Sequence, residues 1–157
     1  MRPAPPPNGL PRSEHKLMAE EATTRDPVER LRLVVAAASR RDLDTVMSFY
    51  ASDAVLDFSD SGLGTYEGAD AIRALFEDWL RSYAEYETTA DEILRIGENV
   101  ILTINTQSAR LPGSSGFVRL HDAYVFLFED GLIARHTPYQ NVNEARAAAE
   151  RLAQERR

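Results

Sequence analysis

Residues 117–140 read FVRLHDAYVFLFEDGLIARHTPYQ, and the fold turns on how this stretch is read. Its even positions are Val118, Leu120, Asp122, Tyr124, Phe126 and Phe128, and its odd positions include Arg119 and His121. A period of two marks a strand with one buried face, so the even side chains are expected to point inward. Glu129-Asp130-Gly131 supplies a turn, and 132–140 returns as the partner strand. Two earlier turns, Gly97-Glu98-Asn99 and Pro112-Gly113-Ser114-Ser115-Gly116, set further strands over 87–96 and 99–110, ahead of the strand at 117–129. Consecutive strands on short turns imply an antiparallel meander.

Upstream of Tyr86 the period is helical. Asp26 can cap a helix, Pro27 suits its first turn, and Glu29 lies three residues past the cap. Val28, Leu31, Val35 and Ala38 share one face, and Arg40 and Arg41 meet the negative end. A second short helix starts near Asp42, with Leu43, Val46, Met47 and Tyr50 on one stripe. A strand over 54–58 and a loop over 59–64 lead past Gly68 into a third helix. Its apolar face is broad: Ile72, Leu75, Phe76, Trp79, Leu80 and Tyr83. Asn143 is expected to cap a last, alanine-rich helix reaching Gln154, with a stripe of Ala145, Ala148 and Leu152. Helices followed by a meander make an α+β order, in which the helices cover one face of the sheet.

Composition narrows the function classes. The 157 residues suit one domain, with 43% hydrophobic and 27% charged residues. There is no cysteine, which excludes disulfides and thiolate chemistry and suits a reducing, cytoplasmic setting. The net charge is −7, Lys16 is the only lysine, and the arginines do not cluster, so no nucleic-acid partner is expected. No apolar run approaches the roughly 20 residues that span a bilayer, and the N-terminus lacks the apolar core of a secretory signal. No membrane association is therefore expected. Residues 1–25 carry Pro3, Pro5, Pro6, Pro7 and Pro11 and few large apolar side chains. They read as a disordered tail before a domain at 26–157, with Met18 as an alternative start of translation.

Three segments carry a resemblance. They are 42–55 (DLDTVMSFYASDAV), Gly64-Thr65-Tyr66-Glu67-Gly68 running into Ala71-Ile72, and Phe128-Glu129-Asp130-Gly131-Leu132-Ile133. Together they resemble the nuclear transport factor 2-like superfamily, nearest its SnoaL-like group, over residues 26–155. The resemblance implies a cone-shaped, curved antiparallel sheet wrapped around three N-terminal helices, with an apolar pocket and a C-terminal helix (a cystatin-like roll). It also implies a homodimer through the outer sheet face. It does not select a chemistry, because this fold hosts isomerases, dehydratases, epoxide hydrolases, cyclases and non-catalytic binders.

Carried over by position, the steroid isomerases' tyrosine and carboxylate base fall on Val34 and Phe58. The limonene epoxide hydrolases' arginine and two aspartates fall near Asn105, Gln107 and Pro138. The SnoaL-type cyclases' aspartate falls on Tyr124 and their histidine on His136.

Asp122 is the most informative residue, a carboxylate on a strand face of large apolar groups. Such a group is costly to ionise unless partnered. It reads either as a general acid/base with a raised pKa or as an aspartate paired with an arginine or a tyrosine near the open, wet end of the cone. His136 depends on the turn. A three-residue loop pairs 128 with 132 and puts His136 opposite Tyr124; a two-residue Asp130-Gly131 turn pairs 129 with 132 and sends His136 to the other face. The first is preferred, giving a cluster of Asp122, Tyr124 and His136; the alternative is a histidine satisfied by a hydroxyl and without chemistry.

Trp79, Phe76, Tyr83 and Tyr86 line the pocket mouth or are simply core, and Phe58 and Leu56 add to its wall. Asn105 and Gln107 are pocket hydrogen-bonders or the solvent face. Asp57 and Asp60 read as surface or loop residues. His15, His121 and His136 have no zinc-ligand spacing, so no metal is expected, and the loop at Gly62 and Gly64 lacks the setting of a phosphate cradle. The expectation is a pocket for a small apolar or cyclic molecule, with cofactor-free acid–base chemistry in which Asp122 or His136 moves a proton and Tyr124 donates a hydrogen bond or, alternatively, a non-catalytic binding or association role.

Overall fold

The computed structural model describes residues 26–156. The tail expected over 1–25 and the alternative start at Met18 lie outside the described residues.

Helix α1 (Pro27–Ser39) begins where the sequence pattern places it: Asp26 accepts from the Val28 backbone N–H, with Pro27 in the first turn. Its buried side chains are Pro27, Leu31, Val34 and Ala37. The expected Val28, Val35 and Ala38 are only half-buried, so the helix is rolled from the expected stripe. Helix α2 (Leu43–Met47) is capped by Asp42 and is one turn shorter than its stripe suggested, because Tyr50 already belongs to strand β1 (Tyr50–Asp57). A short 3-10 turn follows at Ser59–Ser61, then strand β2 (Thr65–Glu67), in the stretch read as the entry to the third helix. Helix α3 (Ala69–Arg81) precedes the meander β3 (Glu85–Arg95), β4 (Val100–Arg110), β5 (Val118–Glu129) and β6 (Leu132–Tyr139). The last helix, α4 (Val142–Glu155), is capped by Asn141 rather than Asn143.

The six strands form one curved, open sheet in the order β2-β1-β6-β5-β4-β3. Every pairing is antiparallel except β1 on β6, which is parallel. That single parallel ladder corrects the purely antiparallel expectation.

Each face of the sheet has its own cover. On the inner face Ile101, Phe126, Phe128 and Ile133 pack against Leu31, Val34, Phe49, Leu56 and Ile72. On the outer face Val100, Leu102, Val125 and Leu127 pack beneath Ala145, Ala149 and Ala153 of α4. The expected stripe of Ala148 and Leu152 is only half-buried. The outer-face positions beyond α4 are polar: Thr106, Ser108, Arg119 and His121.

The β5–β6 turn also departs from expectation. Glu129 pairs with Leu132, and Asp130 and Gly131 both have positive φ, 54° and 80°. This is the two-residue turn with the mirror-image geometry that suits strand twist. Alone it would send His136 to the outer face. Phe128 pairs with Ile133, however, and Leu127 pairs with Arg135, so Ala134 is an extra residue in a bulge. The bulge reverses the faces again, and His136 lies on the inner side, opposite Phe126.

Candidate functional site

Two adjoining cavities occupy the space between the helices and the inner sheet face. With the open solvent at their mouths included, the helix-side compartment spans about 760 Å³ and the loop-side compartment about 830 Å³. Phe76, Trp79, Tyr86, Tyr124 and His136 line both and so divide them. Leu31, Val34 and Val46 wall the first; Phe58, Leu63 and Leu120 wall the second.

The register explains the polar wall. Asn105 pairs with Asp122, Gln107 with Leu120, and Thr103 with Tyr124, so the odd side chains of β4 share the inner face with the even ones of β5. Asn105 and Gln107 are buried there, which resolves the solvent-face alternative against them. Gln107 Nε2 donates to Asp122 Oδ2 at 2.8 Å and to the Tyr124 hydroxyl at 2.9 Å. Asn105 Nδ2 donates to Asp122 Oδ1 at 3.4 Å. Tyr86, from β3, donates its hydroxyl to Gln107 Oε1.

Asp122 is 7% exposed and has no ion-pair partner among the described residues. Burial pushes its carboxyl up to about 6, against hydrogen bonds from Asn105, Gln107 and Tyr124 that favour the charged form. The carboxyl thus exchanges its proton near neutral pH. Burial raises Tyr86 to about 12 and holds Tyr124 well above the ordinary phenol value, so both remain hydroxyl donors.

His136 belongs to a second polar pair. Its Nδ1 lies 2.9 Å from the Tyr50 hydroxyl, its ring stacks on Phe126 with centroids 4.4 Å apart, and the Tyr124 ring is 4.6 Å away. Its Nε2 is buried without a partner. Burial lowers its pKa to about 3, so the imidazole is neutral. The expected three-residue cluster is therefore split into two separate hydrogen-bonded groups. Asp122 is held by amides and His136 by Tyr50, with Tyr124 between them bonded to Gln107.

Of the other expected wall residues, Trp79 and Phe76 line both compartments and Phe58 the loop-side one. Tyr83 lines neither; it stacks on Tyr86 with centroids 6.1 Å apart and braces it. Asp57 pairs with Arg135 at 2.6 Å, and His121 is exposed beside Thr106. Tyr50 and Thr103 are wall residues that the sequence reading missed. Tyr50 was assigned to a helical stripe, whereas the strict alternation of Ile101, Thr103, Asn105 and Gln107 would have marked Thr103. Among the described residues no three His, Cys, Asp or Glu side chains gather to hold a metal ion, and no helix is long and apolar enough to cross a membrane.

Comparison with known proteins agrees with this architecture. No curated protein matches the sequence. Among solved structures, an NTF2-like protein of unknown function from Burkholderia pseudomallei is 23% identical. That match covers 76% of this chain and 93% of the other, with a TM-score of 0.65. A Mycobacterium tuberculosis protein in complex with estradiol-17beta-hemisuccinate is 16% identical over 75% of this chain and 96% of its own, with a TM-score of 0.64. An LEH-like epoxide hydrolase, also from M. tuberculosis, is 18% identical over 83% and 93%, with a TM-score of 0.62. At these identities the likeness is one of fold. The model of the SnoaL-like domain matches residues 31–136, from the first buried leucine of α1 to the cavity histidine of β6. This chain is therefore a member of the SnoaL-like domain family.

Proposed function

We propose that this protein binds a compact, mostly apolar or cyclic small molecule in the divided cavity, and that Asp122 moves a proton on it. The chemistry is of the cofactor-free isomerase, cyclase, dehydratase or hydrolase kind. One observation carries the reading: Asp122 is a buried carboxyl on the cavity wall, held by the Asn105 and Gln107 amides with no ion-pair partner among the described residues, and its pKa is raised by burial to about 6. The alternative, an aspartate paired with an arginine or a tyrosine, finds no arginine here but does find a Tyr124 hydrogen bond. The family and the estradiol-derivative complex of a similarly folded protein support a ring-sized apolar ligand. His136, neutral and bonded to Tyr50, suits hydrogen bonding better than proton transfer.

A thermal-shift screen of apolar ring compounds, followed by turnover assays of each hit, tests this. Asp122→Asn should retain the hit and lose turnover by roughly 10²- to 10⁴-fold, the usual worth of a general acid or base. Full turnover in that variant would refute the assignment.

A second reading, a non-catalytic binder or association module, is favoured by the uncharged residues at Val34, Phe58, Asn105, Gln107 and Pro138. Hits that bind without turnover in the unmodified protein would support it. A homodimer belongs to either reading. Because α4 covers the apolar strip of the outer face, the contact would use the polar positions beyond it. Light scattering showing a monomer at micromolar concentration would exclude the dimer.

A further inference from the structure

We propose that the loop-side compartment receives a small organic cation, a protonated or quaternary amine bearing apolar groups, with Asp122 as its counter-charge. This rests on the reading of the cavity as a small-molecule site, but not on Asp122 moving a proton.

The partners of Asp122 are all donors. Asn105 Nδ2 reaches Oδ1 at 3.4 Å, Gln107 Nε2 reaches Oδ2 at 2.8 Å, and the Tyr124 side chain adds a third hydrogen bond. Donors on both oxygens suit a carboxyl that has lost its proton, since the ionised form only accepts. None of the three carries a positive charge, and no arginine or lysine lines the compartment. The protein thus prepares a place for an anion and leaves its charge unbalanced. Asp122 lines the loop-side compartment and not the helix-side one, so a balancing charge would come from there.

The wall selects the kind of cation. Phe58, Phe76, Trp79, Tyr86 and Tyr124 line the compartment, and the face of an aromatic ring attracts a cation. Asp122 is the only charged residue on that wall, because His136 is neutral. A hard metal ion needs about six oxygen ligands, and no three His, Cys, Asp or Glu side chains gather among the described residues. An anion would be set against the carboxylate. An amine with apolar substituents meets the carboxylate with its charge and the rings with its carbons. Leu63, Trp79 and Leu120 line the compartment and are 64%, 38% and 44% exposed, so it opens to solvent at an apolar rim.

The test uses full-length protein with phenyltrimethylammonium as the cation, tert-butylbenzene as the same shape without charge, and benzoate as an anion. Well above the Asp122 midpoint of about 6, the cation should bind roughly tenfold more tightly than tert-butylbenzene, the scale of a desolvated cation contact. Benzoate should bind more weakly than either. The preference for the cation should shrink as pH falls through that midpoint, because the protonated carboxyl offers no charge. The titratable groups that share the site are Tyr86 from β3, Tyr124 from the same strand, and His136 and Tyr139 from β6; the wall residues of α3 and of the 58–63 segment carry none. Burial holds the phenols up and the imidazole neutral, so they keep their charge over this range. His121, next to Asp122 on the outer face, also acts on it electrostatically, so the same pH dependence should appear in His121→Gln.

Bound phenyltrimethylammonium should lower the Asp122 midpoint in carboxyl ¹³C spectra, since an opposite charge favours the ionised form. Asp122→Asn should still bind tert-butylbenzene and lose the preference for the cation. Equal binding of the two shapes by the unmodified protein, an unmoved midpoint, or a preference that survives in Asp122→Asn would overturn the proposal. The first two readouts come from the unmodified protein, so they stand if the variant folds poorly. A cation that binds without turnover supports this assignment and counts against proton transfer. Turnover of a neutral ring compound with no binding of the cation does the reverse.

Discussion

The hydroxyl of Tyr86 donates to Gln107 Oε1 at 2.5 Å, on the acceptor side of the same amide whose Nε2 faces Asp122. With Oε1 engaged, Nε2 is left to donate to Asp122 Oδ2 and to Tyr124. An ionised carboxylate only accepts hydrogen bonds, so a flipped amide would set oxygen against oxygen. Tyr86 thus acts on Asp122 through Gln107, as a positioning residue. The Tyr86→Phe variant keeps the ring and removes the donor. It should raise the Asp122 titration midpoint above about 6, by roughly 0.5 to 1 pH unit, the value of one partly lost hydrogen bond. Carboxyl ¹³C NMR measures this directly. An unchanged or lower midpoint would mean that the amide keeps its orientation without Tyr86.

Asp122 and His136 also make opposite contributions to stability against pH. Burial raises Asp122 from 3.8 to about 6, so the folded state binds that proton more tightly than the unfolded chain. Its contribution is present in full below 3.8 and is lost as pH rises through about 6. Burial lowers His136 from 6.5 to about 3, so its contribution is present above 6.5 and is lost as pH falls toward about 3. Where the two ranges overlap, each slope is at most about 1.4 kcal/mol per pH unit, and they oppose. The unmodified protein should therefore be nearly level in stability across that overlap. Asp122→Asn should unmask the histidine and lose stability relative to wild type as the solution is acidified from pH 6.5. His136→Phe should unmask the aspartate and gain relative to wild type over the same range. Urea unfolding at a series of pH values reads both differences; parallel curves for all three proteins would refute the opposition.

These site features were unequally legible in the sequence. The inner-face side chains of 122–128 could be read from alternation, because they are large; Val118 and Leu120, expected with them, are exposed. The position of His136 could not be read. Asp130-Gly131 fits either turn length, and nothing in Ile133-Ala134-Arg135 announces a bulge. The expected inward face was reached by a different route, and the expected partner, Tyr124, gave way to Phe126. Asn105 and Gln107 stayed ambiguous because their neighbours Ile104 and Thr106 are no clearer as an outer face; the pairing with Asp122 and Leu120 decides them. Strand β2 is three residues long and held by β1, so its existence depends on tertiary pairing that local pattern does not encode. Tyr50 sits at the junction of α2 and β1, where the helical period still runs but the backbone has already extended.

Gly97 shows the same limit in a form that mutagenesis can measure. In the sequence it is a turn residue between β3 and β4. In the fold it also lies under the last turns of α4, where an added Cβ would come within 2.8 Å of Ala153 Cβ and 3.7 Å of Val100 Cβ. No side chain can swing away to relieve the first contact, since both atoms are fixed to backbone. The small residues Ala145, Ala149 and Ala153 bring α4 close to the outer face, and Gly97 extends that close approach to the turn. Gly97→Ala should therefore push α4 outward and cost about 1–3 kcal/mol, the usual range for overpacking a close contact. Urea unfolding at neutral pH should register the loss without moving the Asp122 titration midpoint, because the inner face is untouched. A change below about 0.5 kcal/mol, the ordinary range for a surface substitution, would show that α4 is not held against the turn by this contact.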